Sequence, residues 1–221
     1  MPRLSISTSL RRRPDPEIRR RYGTILPSTW VLLSILSCLL LPACRTVIRP
    51  PENSVDSVDI LLCDYGSHAS LAFPRAGGDA WVEYSTGEWV WLAQGDDDPF
   101  QIFPALLWPT QKTLCRWEGS AMPSATYPDR DGWNPEISLI PVSRQEKDAL
   151  LVILDAQYAE GAQRREYRRR GIHLTFVPMN DAYYLLNNCN HDIVRWLELL
   201  GCNVSGPFVA PSYRVDLPSS N

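Results

Sequence analysis

Short apolar runs separated by turn residues dominate the middle of the chain and predict a series of β-strands. Residues 58–63 are mostly apolar, and residues 68–73 alternate polar and apolar side chains. Runs of this length and pattern are typical of strands. Residues 85–87 are predicted to form a turn, and residues 100–108 a short helix. Four further strands are predicted, at 81–84, 88–92, 113–117 and 172–177.

Two later segments have helical periodicity. In the first, Ser143 with Glu146 three residues on is a capping box, which predicts a helix over 143–160 that ends at Gly161. Apolar residues from Ala149 to Ala156 supply the face that this helix would bury.

The second helical segment starts with Asn188, a favoured N-cap, and ends before Gly201, which suits the C′ position. Its apolar side chains share the face that would pack on the sheet, and they are Cys189, Ile193, Trp196, Leu197 and Leu200. The whole pattern predicts an α+β fold, in which a small antiparallel sheet packs against the Cys189 helix and a second helix.

The first 43 residues have the pattern of an export signal. Six arginines fall between positions 11 and 21, an apolar run covers residues 30–41, and Leu-Pro-Ala-Cys follows at 41–44. This order is typical of a secretory signal peptide. Because a cysteine follows the small residue, the segment resembles a bacterial lipobox, which implies cleavage after Ala43 and a lipid on Cys44.

The alternative is a single transmembrane anchor, since the apolar span could extend back to Thr24. Its core of about a dozen uninterrupted apolar residues is shorter than the roughly 20 that a bilayer needs, which favours the lipoprotein. Both interpretations export the body of the protein, because the arginines stay inside. Arg45 after the lipid site resembles Gram-negative lipoproteins that reach the outer membrane, which implies a domain facing the periplasm.

The remaining chain is predicted to hold a tether and one domain. Residues 44–57 form the lipidated N-terminus and a proline-containing tether, residues 58–217 a single domain, and residues 218–221 a tail. The formal net charge of −3 hides an asymmetry, because the chain after residue 43 holds 15 of the 22 basic and 23 of the 25 acidic side chains. An acidic body argues against nucleic acid as a partner.

Four cysteines lie in the predicted domain, and an exported protein can oxidise them. Cys189 and Cys202 bracket a predicted helix, so about 1.5 Å per residue puts them roughly 19 Å apart, too far for a disulfide. Cys63 and Cys115 lie in predicted strands, where they could pair or simply fill the core.

Cys189 is a candidate nucleophile because it begins a helix. Backbone N–H groups and the helix dipole at such a terminus lower the pKa of a thiol from about 8.5 and can bind an oxyanion. A neighbouring histidine would take up the proton. His68 and His173 begin predicted strands and are the candidates, whereas His191 lies about 200° around the helix from Cys189 and points elsewhere.

Four motifs follow one another along the predicted domain. They are Gly66-Ser67-His68, Phe73-Pro74, the strand from Trp81 to Gly87, and the helix start Asn188-Cys189-Asn190. Their order is similar to that of circularly permuted papain-like hydrolases, such as murein-cleaving peptidases and lecithin:retinol acyltransferase. More narrowly, the chain resembles a family of bacterial membrane-associated and lipoprotein-like proteins of unknown function.

This resemblance implies roles for five residues. Cys189 would be the nucleophile, His68 the general base and Glu83 the group that orients the histidine. Asn188 and Asn190 would shape the helix start and support an oxyanion.

Two functions are compatible with these patterns. The first is a cell-envelope thiol hydrolase or acyltransferase, in which Cys189 attacks an amide or ester of peptidoglycan or lipid and His68 moves the proton. The alternative is a catalytically inactive lipoprotein that binds a glycan, peptide or protein. Its binding surface would include Trp81, Trp89, Trp91 and Trp133.

No cofactor or metal is predicted. The sequence has neither a phosphate-binding loop nor a dinucleotide fingerprint, and Cys189, His191 and Asp192 lack the spacing of metal ligands. The one basic stretch after the leader, 164–170, is predicted to be solvated, with contact to anionic headgroups or cell-wall polymer as the alternative.

Overall fold

The computed structural model describes residues 45–52, 56–96, 105, 107–120, 135–169, 174–208 and 211–217, which form a mixed α+β fold. These residues belong to a compact unit that spans Cys44–Asn221. The predicted leader, the lipid site at Cys44, Trp133 and His173 lie outside the described residues, as does most of the predicted helix at 100–108. No helix in the described part of the chain is long and apolar enough to cross a membrane.

Ten strands in the described ranges form two sheets. Seven make an antiparallel sheet in the order β6-β2-β3-β4-β5-β8-β7, and three make a small sheet in the order β10-β1-β9. The strands are β1 Thr46–Arg49, β2 Ser57–Asp64, β3 Ala69–Pro74, β4 Trp81–Glu88, β5 Thr110–Gly119, β6 Glu136–Ser143, β7 Tyr167–Arg168, β8 Thr175–Tyr183, β9 Asn203–Ser205 and β10 Tyr213–Val215. The strands predicted at 58–63, 68–73 and 113–117 are confirmed as β2, β3 and β5.

The aromatic segment after residue 80 differs from its prediction. It forms one strand, β4, which continues through the predicted turn at 85–87 because these residues pair with Thr113–Cys115 of β5. The predicted second strand is a π-helical turn over Trp89–Gln94. Glu88 begins this turn, since its carboxylate accepts a hydrogen bond of 2.7 Å from the N–H of Trp91.

The first helix, α1, spans Arg144–Arg164 and follows Ser143 as predicted, although the Ser143 side chain makes no capping hydrogen bond. The helix does not end at Gly161. A side chain there would bring a Cβ within 2.7 Å of Val177 Cγ2 and 2.9 Å of the Pro178 carbonyl oxygen. Gly161 is therefore a point of close packing on β8 rather than a helix end.

The second helix, α2, spans Cys189–Leu199 and confirms the predicted caps. The Asn188 side chain accepts hydrogen bonds from the N–H groups of Asn190 at 3.0 Å and His191 at 3.4 Å. Gly201 has a φ of 80°, the left-handed conformation that favours glycine after a helix.

The predicted tether is wrong at its start. Residues 46–49 form β1, which pairs in parallel with β10 and antiparallel with β9. Ile48 of this strand is fully buried in the main core. The domain therefore begins next to Cys44, because strands from the far end of the chain provide hydrogen-bonding partners for residues 46–49.

Side chains of the basic stretch at 164–170 make contacts within the domain. Arg164 donates a hydrogen bond of 2.7 Å to the Pro178 carbonyl, and the Arg165 guanidinium lies 4.8 Å from the centre of the Trp89 ring. Residues 167–168 form β7 at the edge of the large sheet.

The two faces of the large sheet bury different groups. We call the face that α1 and α2 cover the helical face, and it carries Leu62, Leu71, Tyr84 and Leu114. The other face, which packs on the π-helical turn, is called the reverse face. It carries Cys63, Ala72, Glu83 and Cys115. Successive side chains of a strand point to opposite faces, so neighbours such as Glu83 and Tyr84 lie on different sides.

The four cysteines in the described residues are free. Cys63 and Cys115 share the reverse face but lie three strands apart, about 14 Å at the usual strand spacing, which exceeds the reach of a disulfide. Cys189 and Cys202 stand at opposite ends of α2, as predicted.

Candidate functional site

The helix α2 begins at one end of the large sheet, which we call the site end. The strand registers place five strand termini at that end, with β5 and β8 continuing about four residues past the level of Asp64 and Ala69. These termini are Asp64 of β2, Ala69 of β3, Glu88 of β4, Thr110 of β5 and Tyr183 of β8. The segments 65–68, 89–94 and 184–188 therefore all emerge at the site end.

A buried ion pair fixes the start of α2 to the sheet. Lys112 of β5 is fully buried, and its Nζ lies 2.6 Å from Oδ2 of Asp192 in the first turn of α2. The hydroxyl of Thr86 donates a hydrogen bond to the same carboxylate. Breaking a buried pair leaves an uncompensated charge, at a cost of about 3–5 kcal/mol, so this contact holds α2 in one position.

Further polar groups surround the ion pair. The Lys112 Nζ lies 3.1 Å from Asp181, and Arg195 donates hydrogen bonds to Asn187 at 2.9 Å and to Asp192 at 3.1 Å. Burial raises the pKa of Asp181, but a hydrogen bond from Asn187 and the charge of Lys112 hold it below its ordinary value. The charges at the start of α2 are therefore matched within one network.

Cys189 lies on the helical face beside this network and is only 4% exposed. Burial raises the pKa of its thiol to about 11, and the charge of Asp192 adds to this rise. The Tyr183 hydroxyl and the N–H of Asn190 hydrogen-bond to the sulfur and partly offset it. The expected lowering of the thiol pKa at a helix start is thus outweighed by desolvation.

His68 belongs to a different group of side chains. It closes the β2–β3 hairpin, where the N–H of Tyr65 donates a hydrogen bond of 2.8 Å to the His68 carbonyl. The rings of Tyr65 and His68 stack with their centres 6.5 Å apart, and Trp91 meets His68 edge-on at 6.4 Å. We call Tyr65, His68 and Trp91 the aromatic group.

Glu83 lies next to this group on the reverse face and is buried, with 3% exposure. The Tyr65 hydroxyl donates to its Oε1 at 3.1 Å, and the Ser70 hydroxyl donates to the same atom. Its Oε2 is buried and accepts no hydrogen bond from the residues that the structure describes. Burial raises the pKa of Glu83 to about 7, although the two hydroxyl donors oppose this rise.

The large sheet therefore separates the residues that were predicted to act together. Glu83 is linked to His68 through Tyr65 on the reverse face, whereas Cys189 lies with Tyr183 and Asp192 on the helical face. The period of two along a strand is the physical reason, because it turns Glu83 away from the helices that Tyr84 supports. Catalytic roles for Cys189, His68 and Glu83 stay predictions.

The two asparagines predicted to shape the helix start have separate partners. Asn188 caps α2, and its Oδ1 lies 2.9 Å from His191 Nδ1. Asn190 Oδ1 accepts a hydrogen bond of 2.9 Å from the hydroxyl of Tyr213 in β10. Burial and the charge of Arg195 lower the pKa of His191. The imidazole of this residue contacts the N-cap residue Asn188 and not the Cys189 thiol.

Three residues of this site were not predicted from the sequence, and they are Lys112, Tyr183 and Tyr213. Lys112 could have been predicted, because it lies two residues from the buried Leu114 on one strand and so points to the same face. A lysine that points into the core needs a buried carboxylate as its partner. Tyr213 carried none, because its contact with Asn190 depends on the pairing of β10 with β1. Within the described residues, no group of three or more His, Cys, Asp or Glu side chains could hold a metal ion.

Comparisons with protein-family models, with curated proteins and with solved structures each find no match for this chain. The resemblance to permuted papain-like hydrolases therefore stays a prediction from the four motifs.

Glu83→Gln is expected to change how stability depends on pH. The native pKa of about 7 lies above the ordinary value of 4.5, so the folded protein keeps a proton that the unfolded chain releases between these values. The stability due to Glu83 thus falls as the pH rises through this window, by about 3 kcal/mol in total. Glutamine does not titrate, so urea unfolding should show that Glu83→Gln gains about this much on the wild type between about pH 4 and pH 8.

The matched control is Glu160→Gln, at an exposed position of α1, which should follow the wild-type profile. If the stability of Glu83→Gln and of the wild type changed with pH in the same way, Glu83 would have the same pKa in the folded and unfolded states. That result would contradict the buried setting described here.

Proposed function

We propose that this chain is a membrane-anchored lipoprotein of the cell envelope that binds a glycan or peptide ligand and does not work through its cysteine. One observation carries the proposal: Cys189 is buried on the helical face, while His68 and Glu83 lie together on the reverse face. A thiol with a pKa of about 11 holds little thiolate at neutral pH. Its neighbour Tyr183 stays protonated, because burial raises the pKa of that phenol well above its usual range.

The leader supports the anchored location. Its arginines, its apolar run and Cys44 favour export, with a lipid on Cys44 and a domain facing the periplasm, at the outer membrane if the cell is Gram-negative. The compact unit that holds the described residues begins at Cys44, which fits a mature protein that starts there.

The aromatic group is the proposed ligand-binding surface. Trp89 is 5% exposed and belongs to the core, so the predicted tryptophan surface is reduced to the half-buried Trp81 and Trp91 within the described residues. Trp91 lies with Tyr65 and His68, whose rings are also half-buried. Partly exposed rings offer apolar faces and polar edges to a sugar or a peptide. The hydrogen bond from the Tyr65 hydroxyl to the buried Glu83 carboxyl fixes the position of one of these rings.

Trp91→Ala is expected to weaken ligand binding about ten-fold, because it removes one ring of the aromatic group, a loss of about 1.4 kcal/mol. The measurement is isothermal titration of the full-length protein in detergent with soluble muropeptides, which present both a glycan and a peptide. Cys189→Ser should bind as the wild type does.

Trp108→Ala is the matched control, since Trp108 is 64% exposed and lies outside the aromatic group. The proposal is overturned if the wild type does not bind, or if Trp91→Ala binds as tightly as the wild type.

A thiol hydrolase or acyltransferase of the permuted papain-like type is the second candidate. The position of Cys189 at the start of α2 favours it, because the N–H of Asn190 lowers the pKa of the thiol and N–H groups at a helix terminus can donate to an oxyanion. In that reaction His68 takes the thiol proton, the sulfur adds to the carbonyl carbon, and the amine or alcohol leaves with that proton. Water or another acceptor then attacks the thioester carbonyl, which breaks the C–S bond and returns a proton to the sulfur. His68 has to leave the aromatic group and reach the helical face for this to happen.

The alkylation rate of Cys189 against pH separates the two candidates. For the binding protein, iodoacetamide at pH 7.5 should modify Cys189 at least about 100-fold more slowly than in the urea-unfolded chain, because the native thiol has a pKa of about 11 against an ordinary value of about 8.5 to 9.0. Mass spectrometry of the Cys189 peptide gives the rate, and His68→Ala should leave it unchanged.

His191→Ala serves as the control for loss of a histidine close in sequence. Rapid alkylation below pH 8 that disappears in His68→Ala, but not in His191→Ala, would establish a Cys–His pair and favour the hydrolase instead.

A further inference from the structure

The chain enters the domain at the site end of the large sheet. The charge of Arg45, the first described residue, acts on Asp64 at the end of β2, where burial raises the carboxyl pKa and Arg45 lowers it. Thr46 pairs with Tyr213, whose hydroxyl donates a hydrogen bond of 2.9 Å to Asn190 in α2. The start of α2 is therefore close to the N-terminal end of β1. Only the spacing between β1 and β10 and the length of the Tyr213 side chain separate Thr46 from Asn190.

Exposed apolar side chains cluster at this same end. We call them the crest, and they are Leu107, Trp108, Tyr184, Leu185 and Leu186, with exposed fractions between 38% and 67%. The two segments of the crest are neighbours, because Thr110 and Tyr183, which adjoin them, are paired in the sheet. The other exposed large apolar side chains of the described residues are dispersed over β6, α1, the end of α2 and the segment after β10.

The crest and the entry point can meet one plane. Arg45 acts at the end of β2 and the crest follows the end of β8, and four strand spacings, about 19 Å, separate these two strands in the sheet order. Both strands end at the site end, where β8 ends about four residues, or about 13 Å, further out than β2, so a bilayer plane that meets both points is tilted relative to the strands.

We propose that the crest rests on the lipid bilayer, so that the membrane holds the domain at two points and the site end faces the lipid. The inference takes from the proposed function only that the chain is anchored near position 44. A membrane anchor at that position puts the bilayer at the end where the crest is exposed, which is why the bilayer and not a protein is the occupant. Tryptophan, tyrosine and leucine together are the composition of membrane-interface surfaces.

A second contact also has a physical purpose. An additional apolar contact adds to the apolar area that is buried in the membrane and fixes which end of the domain faces the bilayer. The aromatic group lies at the same end of the sheet, so its ligand is of the class carried on lipid, a sugar or peptide displayed at the membrane surface.

The test uses the full-length protein reconstituted into phosphatidylcholine vesicles with and without brominated acyl chains, which quench tryptophan fluorescence. Leu186→Trp adds a reporter to the crest, and its extra fluorescence should be lost in brominated vesicles. Trp108→Phe should reduce the quenched fraction relative to the wild type. Both positions are exposed, so neither change disturbs the core.

Leu199→Trp is the matched control, because Leu199 is 56% exposed but lies at the far end of α2. Its extra fluorescence should persist in brominated vesicles. The inference is overturned if the Leu186→Trp reporter is not quenched, or if the Leu199→Trp reporter is quenched as strongly. The assay involves neither Cys189 nor ligand, so its failure is distinct from a failure of the muropeptide titration.

Discussion

The buried ion pair between Lys112 and Asp192 determines where α2 lies, and the rest of the site depends on that position. It joins the first turn of the helix to β5 near the site end of the large sheet, and Thr86 bonds to the same carboxylate. Because α2 begins at Cys189, the pair also places the thiol under the helix and out of contact with bulk water. Desolvation there outweighs the favourable effect of the helix terminus on a thiolate.

Two chemically different groups therefore occupy the two faces of one sheet. The helical face holds a network of paired charges beside Cys189. The reverse face holds Glu83, a carboxyl with a raised pKa, next to the rings of Tyr65 and His68. The first arrangement stabilises a helix, and the second leaves aromatic surface partly exposed, where we propose that a ligand binds. In the membrane-anchored arrangement that we propose, the entry of the chain at the site end brings both groups towards the lipid.

Local signals made part of this structure predictable. Asn188 and Gly201 cap α2 through contacts within a few residues, and the apolar runs of β2 and β3 are continuous in sequence. The rest depends on distant partners. Strand β1 exists because β9 and β10 flank it, and β4 passes through 85–87 because β5 pairs with it. The side of the sheet that α2 covers depends on such pairing. The spacing of motifs along the sequence therefore could not predict that Cys189 and Glu83 lie on opposite faces.

The most direct test of this account is to measure which protons lie near the His68 imidazole in solution. Nuclear Overhauser spectra of the full-length protein in detergent micelles, with His68 assigned by comparison with His68→Ala, would give the answer. The account predicts cross-peaks from the His68 ring to the rings of Tyr65 and Trp91, and none to the β protons of Cys189. A cross-peak between His68 and the β protons of Cys189 would contradict it and would place the histidine beside the thiol.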